Sequence, residues 1–137
     1  MKTDRPVVLY DADCGFCRWA LAKLLAWDRR GSLLPLAIES AEGRRLLADL
    51  SEPRRGASWH FVDLDGTRTS AGAAAAPMLR HLPGGREAAE LLARFPNATE
   101  RAYSWVASHR SAFGRALTGG AKRRADERIR RREPPGC

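Results

Sequence analysis

A short apolar run, Val7-Val8-Leu9-Tyr10, leads through Asp11, Ala12 and Asp13 into Cys14-Gly15-Phe16-Cys17. From Gly15 onward the period changes. Phe16, Ala20, Leu24 and Trp27 recur every three or four residues, the spacing of one helix face. The run between Pro6 and Asp11 is continuous, β-branched and aromatic, and reads as a strand buried on both faces. The order is strand, cysteine pair, helix. Such a strand needs paired neighbours at its sides and helices over its faces, so the chain must build a layered α/β domain around it.

The neighbours can be found along the chain. Leu33-Leu34-Pro35-Leu36-Ala37-Ile38 reads as a second strand. Pro35 cannot donate to a ladder, which puts this strand at a sheet edge. A long helix precedes it, so it runs parallel to the first strand through a right-handed crossover. Ser40 caps a short helix reaching to about residue 50. Residues 51–57, with Pro53 and Gly56, read as a loop. Trp59-His60-Phe61-Val62 is a third strand, Asp65-Gly66 a tight turn, and Thr67-Arg68-Thr69 a fourth strand pairing back. An alanine-rich helix is expected after Gly72, ending near Leu82 and starting near Ala76 so that Pro77 falls in its first turn, with further helices over 86–94 and 99–117. The last carries Tyr103, Val106, Arg110, Phe113 and Leu117 along one stripe. The expected fold class is α/β with the order β-α-β-α-β-β-α, a four-stranded mixed sheet, and additional C-terminal helices. A parallel β-α-β joined to an antiparallel hairpin is the thioredoxin-like arrangement.

Length and charge bound the rest. The 137 residues suit one domain. Residues 1–100 hold 14 Lys+Arg and 13 Asp+Glu, whereas 101–137 hold 10 and 3. The net charge of +8 therefore belongs mostly to one end. Residues 5–118 are read as the domain and 119–137 as a basic, flexible tail. Its arginines have no aromatic residue among them to stack on bases, so nucleic acid is not expected as a partner. No apolar run approaches the ~18 residues of a membrane-spanning helix. Charges and Pro6 stand where a secretory signal needs an apolar core. The expected location is cytoplasmic, where thiols stay reduced.

Two of the three cysteines form the Cys-x-x-Cys; the third, Cys137, reads as an incidental exposed thiol. In a reducing compartment such a pair is catalytic or metal-binding rather than a structural bridge. Thiol-disulfide exchange needs a thiolate to attack and a nearby thiol to resolve the mixed disulfide. At a helix start the first cysteine meets unpaired N–H groups and the positive end of the helix dipole, which lower its pKa. Cys14 is thus the expected nucleophile and Cys17 the resolving thiol. Asp13 is placed to cap the helix. Asp11, at the strand end, is a candidate to take a proton from Cys17 if it is buried; the plainer reading makes both aspartates polar residues of the strand-end turn.

The octapeptide from Tyr10 to Cys17, followed by Arg18 and an aromatic-rich helix, resembles the DCC family of thiol-disulfide oxidoreductases, thioredoxin-like proteins long catalogued as a domain of unknown function. Ala12 stands where the family usually has glycine. Asp65-Gly66, Ser70-Ala71-Gly72, Leu82-Pro83-Gly84 and the stretch from Tyr103 through Trp105 and Val106 to Arg110 extend the resemblance over roughly residues 5–120. It implies a thioredoxin-like fold and dithiol redox chemistry but supplies no substrate. The chain is read as a thiol-disulfide oxidoreductase of the protein-disulfide reductase type, acting on a disulfide-containing protein or small molecule with an unknown electron donor. No organic cofactor and no metal are expected. Well-studied thioredoxin relatives carry a cis-proline before the third strand. Here Ala57-Ser58-Trp59-His60 occupies that region, so Ser58 or Trp59 is expected to face the sulfurs. The competing reading is a non-enzymatic module that uses the cysteine pair for metal, with His60 as the histidine to check, or the basic tail for a partner.

Overall fold

The computed structural model describes residues 4–134. Strand β1 (Val7–Tyr10) lies inside a four-stranded sheet of order β2-β1-β3-β4. It pairs in parallel with β2 (Leu34–Ala37), Val8 opposite Pro35, and antiparallel with β3 (His60–Val62), Val8 opposite Phe61. Strand β4 (Arg68–Ser70) pairs antiparallel with β3. Strand β2 is an edge strand, as its proline requires. The β3–β4 turn is built on Asp65, whose carboxylate accepts the Thr67 N–H at 2.9 Å, and on Gly66 at φ 87°. The chain has the mixed α/β architecture of a thioredoxin-like fold.

Alternation along β1 divides two cores. Val8 and Tyr10 face a layer with Leu21, Leu25, Phe61 and Met78; Val7 and Leu9 face the other, with Leu36 and Leu47. Helix α1 (Gly15–Trp27) covers the first face. It buries Leu21, Ala22 and Leu25, whereas Trp27 is 40% exposed. The expected stripe of Phe16, Ala20, Leu24 and Trp27 is therefore rotated from the deepest face. The helix is apolar most of the way round, so periodicity alone does not select one side.

Several boundaries differ from expectation. Residues 51–57 are not simply a loop: α3 (Glu52–Gly56) forms there with Pro53 in its first turn, where a missing N–H costs nothing. It follows α2 (Ala41–Leu46), capped by Ser40. The alanine-rich segment is a 3-10 turn at Ala71–Ala74 followed by α4 (Ala75–Leu79). Helix α5 (Arg86–Arg94) has the expected bounds. The single helix expected over 99–117 is two, α6 (Pro96–Ser108) and α7 (Arg110–Ala116). They part at His109, whose ring Nδ1 lies 2.7 Å from the Trp105 carbonyl.

The flexible tail is corrected over 119–132. That segment is α8 (Gly119–Arg132), capped by Thr118 and packed on α1. Ala125 and Ile129, four residues apart, are buried between the arginines. Arg132 pairs at 3.1 Å with Asp28, which is fully buried at the end of α1. The Asp28 carboxylate also accepts the N–H groups of Ser32 and Leu33 at 3.0 and 2.9 Å. A buried charge held this way is compensated. No helix among the described residues is long and apolar enough to cross a membrane.

Candidate active site

The strand-to-helix handover fixes the cysteines. The Asp11 carbonyl accepts the Cys14 N–H at 3.3 Å, closing the turn after β1. Cys14 is extended, φ −101° and ψ 111°, and immediately precedes α1. Its Sγ accepts the Cys17 N–H at 3.2 Å. The sulfur thus does the work of an N-cap oxygen, and the cap expected from Asp13 is not made: Asp13 is exposed, and its N–H donates to Asp11 Oδ1 at 2.9 Å. Cys14 and Cys17 are joined as a disulfide with their Cα atoms 5.2 Å apart. When that bond opens, charge on Cys14 falls among the first N–H groups of a 13-residue helix.

Cations from distant parts of the chain approach the pair. Arg110, at the start of α7, places Nη1 4.0 Å from Cys17 Sγ, and its Nη2 donates to the Gly56 carbonyl at 3.3 Å. No carboxylate pairs with it among the described residues. Lys122, from α8, lies over the first turn of α1 between the cysteines: a Cβ on Gly15 would stand 3.4 Å from its Cε. The sequence places Arg110 on a helix stripe within the family-like stretch and Lys122 in the tail, neither of them at the cysteines. A separation of 93 residues between Arg110 and Cys17 leaves no local signal.

Carboxylates gather on the other side. Asp11, Asp13 and Glu39 bring oxygens within 4.8 Å of one another. Glu39 Oε2 accepts the Ala12 N–H at 3.4 Å. Its carboxyl is held above the ordinary range, first by burial and further by the neighbouring Asp11. Glu39 was missed in the sequence, yet the register implies it. Tyr10 stands opposite Ala37 in a parallel pair, so the residues just past both strand ends must meet.

Ser58 and Trp59 line the same cavity as Cys17. The Trp59 N–H donates to the Tyr103 hydroxyl at 3.1 Å, its Nε1 donates to the Ala71 carbonyl at 2.8 Å, and its ring stacks on Tyr103 at 5.7 Å. No cis peptide occurs among the described residues. His60 faces away from the sulfurs, as strand alternation demands. It is 1% exposed, its Nε2 donates to the Arg55 carbonyl at 2.9 Å, and its Nδ1 meets Ser70 Oγ at 2.6 Å. The histidine offered as a metal ligand is thus not brought to the cysteines. Cys137 lies outside the described residues.

A model of the DCC1-like thiol-disulfide oxidoreductases matches residues 8–116, most of the chain, including the cysteine pair and α1. The chain belongs to this family. No curated protein and no solved structure matches it. In this DCC1-like protein the match stops just short of α8, so Lys122 and Arg132 come from outside the matched span, whereas Asp28 lies inside it. Arg110 lies inside it.

Proposed function

We propose that this protein is a protein-disulfide reductase in which Cys14 is the nucleophile and Cys17 the resolving thiol, working in a reducing compartment such as the cytoplasm. The observation that carries this reading is the Cys17 N–H aimed at Cys14 Sγ at the first turn of α1. It favours negative charge on Cys14 over Cys17. From the dithiol state, the Cys14 thiolate attacks a substrate disulfide R–S–S–R′. A Cys14–S–S–R bond forms and R′S⁻ leaves as a thiol. Cys17 loses its proton and attacks Cys14 Sγ, expelling RS⁻. Two electrons pass to the substrate, and the protein is left with the Cys14–Cys17 disulfide, which an external dithiol must reduce again.

The surroundings suit each step. Asp11 borders the same cavity as Cys17, which supports assigning it as the acceptor of the Cys17 proton. Arg110 stabilises the thiolate that Cys17 becomes. Phe16, between the cysteines, stacks toward Phe113 at 5.2 Å, and Phe113 lies 6.0 Å from Trp105, which is 58% exposed. This aromatic strip beside the sulfurs gives a substrate polypeptide an apolar place to rest.

The test is alkylation rate against pH for the reduced single-cysteine variants. Cys14 in Cys17→Ser should react at lower pH than Cys17 in Cys14→Ser. Faster reaction of Cys17 near neutral pH would reverse the assignment.

A further inference from the structure

Behind the disulfide lies a cavity of about 310 Å³ whose chemistry is not that of a polypeptide cleft. Its walls are Phe16 and Ala20 of α1, the Trp59–Tyr103 stack, and Ala102 and Val106 of α6. Gly72 makes the wall possible, since a Cβ there would stand 2.8 Å from the Glu100 Cα. The polar atoms in the walls are largely engaged. Trp59 donates from both nitrogens, one of them to the Tyr103 hydroxyl, and Thr99 Oγ1 donates to the Phe95 carbonyl at 2.9 Å. Asp11 turns one oxygen to the Asp13 N–H. Ser58 and the second Asp11 oxygen also border the space, and the cation in its wall is Arg110, which contacts the Cys17 sulfur at 4.0 Å, neutral in the disulfide, and the Gly56 carbonyl.

A guanidinium without a carboxylate, set into an apolar chamber, is complementary to a molecule with one anionic end and an apolar body. We infer that this cavity binds a medium-sized apolar monocarboxylate, its carboxylate on Arg110 and its body against Trp59, Tyr103 and Phe16. The size is that of a small-molecule site at the low end of the usual range. The bound carboxylate lies beside Cys17 and competes with a Cys17 thiolate for the same cation. The ligand therefore binds the disulfide form more tightly than the reduced, deprotonated form, and by reciprocity it holds the pair toward the disulfide. Binding itself is independent of which cysteine attacks and of what substrate is reduced.

The experiment titrates the full chain in its disulfide form with octanoate, and with octan-1-ol and octylammonium as neutral and cationic isosteres. Calorimetry and tryptophan fluorescence report binding. One equivalent of octanoate should bind, with octan-1-ol weaker by about tenfold or more, because a hydrogen bond to a charged group is lost. Octylammonium should bind weakest. R110Q should bring octanoate down to the level of octan-1-ol, whereas R110K should retain most of the preference. Ala107→Phe and Ala20→Phe, which fill the cavity from two walls, should remove both ligands. If those variants do not fold, the R110Q and R110K contrast still decides. Octanoate binding that R110Q leaves unchanged, octylammonium binding as tightly as octanoate, or no saturable octanoate binding would overturn the site. A loss of disulfide reductase activity in the wild-type chain, with octanoate still bound through Arg110, would count against the proposed function alone.

Discussion

Arg110 and His60 show how far single side chains set the behaviour of this fold. Arg110 meets a sulfur that becomes negative only when the disulfide opens, so it stabilises the reduced pair over the oxidised one. Replacing it by glutamine should make the couple more reducing. The guanidinium is only partly buried. An effect of about 1 kcal/mol, or ~20 mV, is therefore expected rather than a full buried-pair value. Equilibration of R110Q and wild type against glutathione measures it, and an unchanged potential would remove Arg110 from the redox site. His60 acts on stability instead. Burial holds its pKa below 6.5, so the folded state resists a proton that the unfolded chain accepts. Its contribution is fully present above pH 6.5 and is lost as the pH falls from there to the depressed folded value. The melting temperature of wild type should fall as the pH drops below about 6.5. That part of the pH dependence should be missing in His60→Gln.

At the level of elements, α1 and α8 act as one unit. Ile129 reaches the core layer of Leu21, Leu25 and Leu33, while Arg132 closes the far end on Asp28. Arg132 also donates to the Asp28 and Leu25 carbonyls at 2.7 and 3.2 Å. Ile129→Ala should cost about 2–4 kcal/mol through the cavity it leaves. Arg132→Ala should cost about 2–3 kcal/mol, because Asp28 loses its counter-charge but keeps two N–H donors. Denaturant midpoints check both, and loss-free variants would mean that α8 merely rests on the surface. This pairing was invisible in the sequence for a physical reason. Between residues 119 and 132 only Ala121, Ala125 and Ile129 carry an apolar signal, and the surrounding arginines outweigh them in any composition-based reading. Elements specified by local chemistry were legible. Pro35 fixed an edge, Asp65-Gly66 fixed a turn, and the capping serine at residue 40 opened a helix. The break at His109 was not, since the apolar stripe from Tyr103 to Phe113 continues across it.

Taken as a whole molecule, the protein brings its candidate redox site together from segments far apart in sequence. The β1–α1 handover supplies the sulfurs, the end of β2 supplies Glu39, α7 supplies Arg110, and α8 supplies Lys122. Only the handover could be read directly. The rest depended on contacts that the topology creates. A consequence concerns the basic end. Removing residues 119–137 would strip Ile129 and Arg132 from the core, so truncation should lower stability rather than leave disulfide reduction intact.

The central claim is the order in which the two cysteines act, and a stable intermediate tests it most directly. Cys17→Ser, given a disulfide-bonded substrate, should accumulate a mixed disulfide on Cys14 with release of one substrate thiol, seen as a mass addition that dithiothreitol removes. Cys14→Ser should accumulate little under the same conditions. Equal or greater trapping on Cys17 in the Cys14→Ser variant would contradict the account.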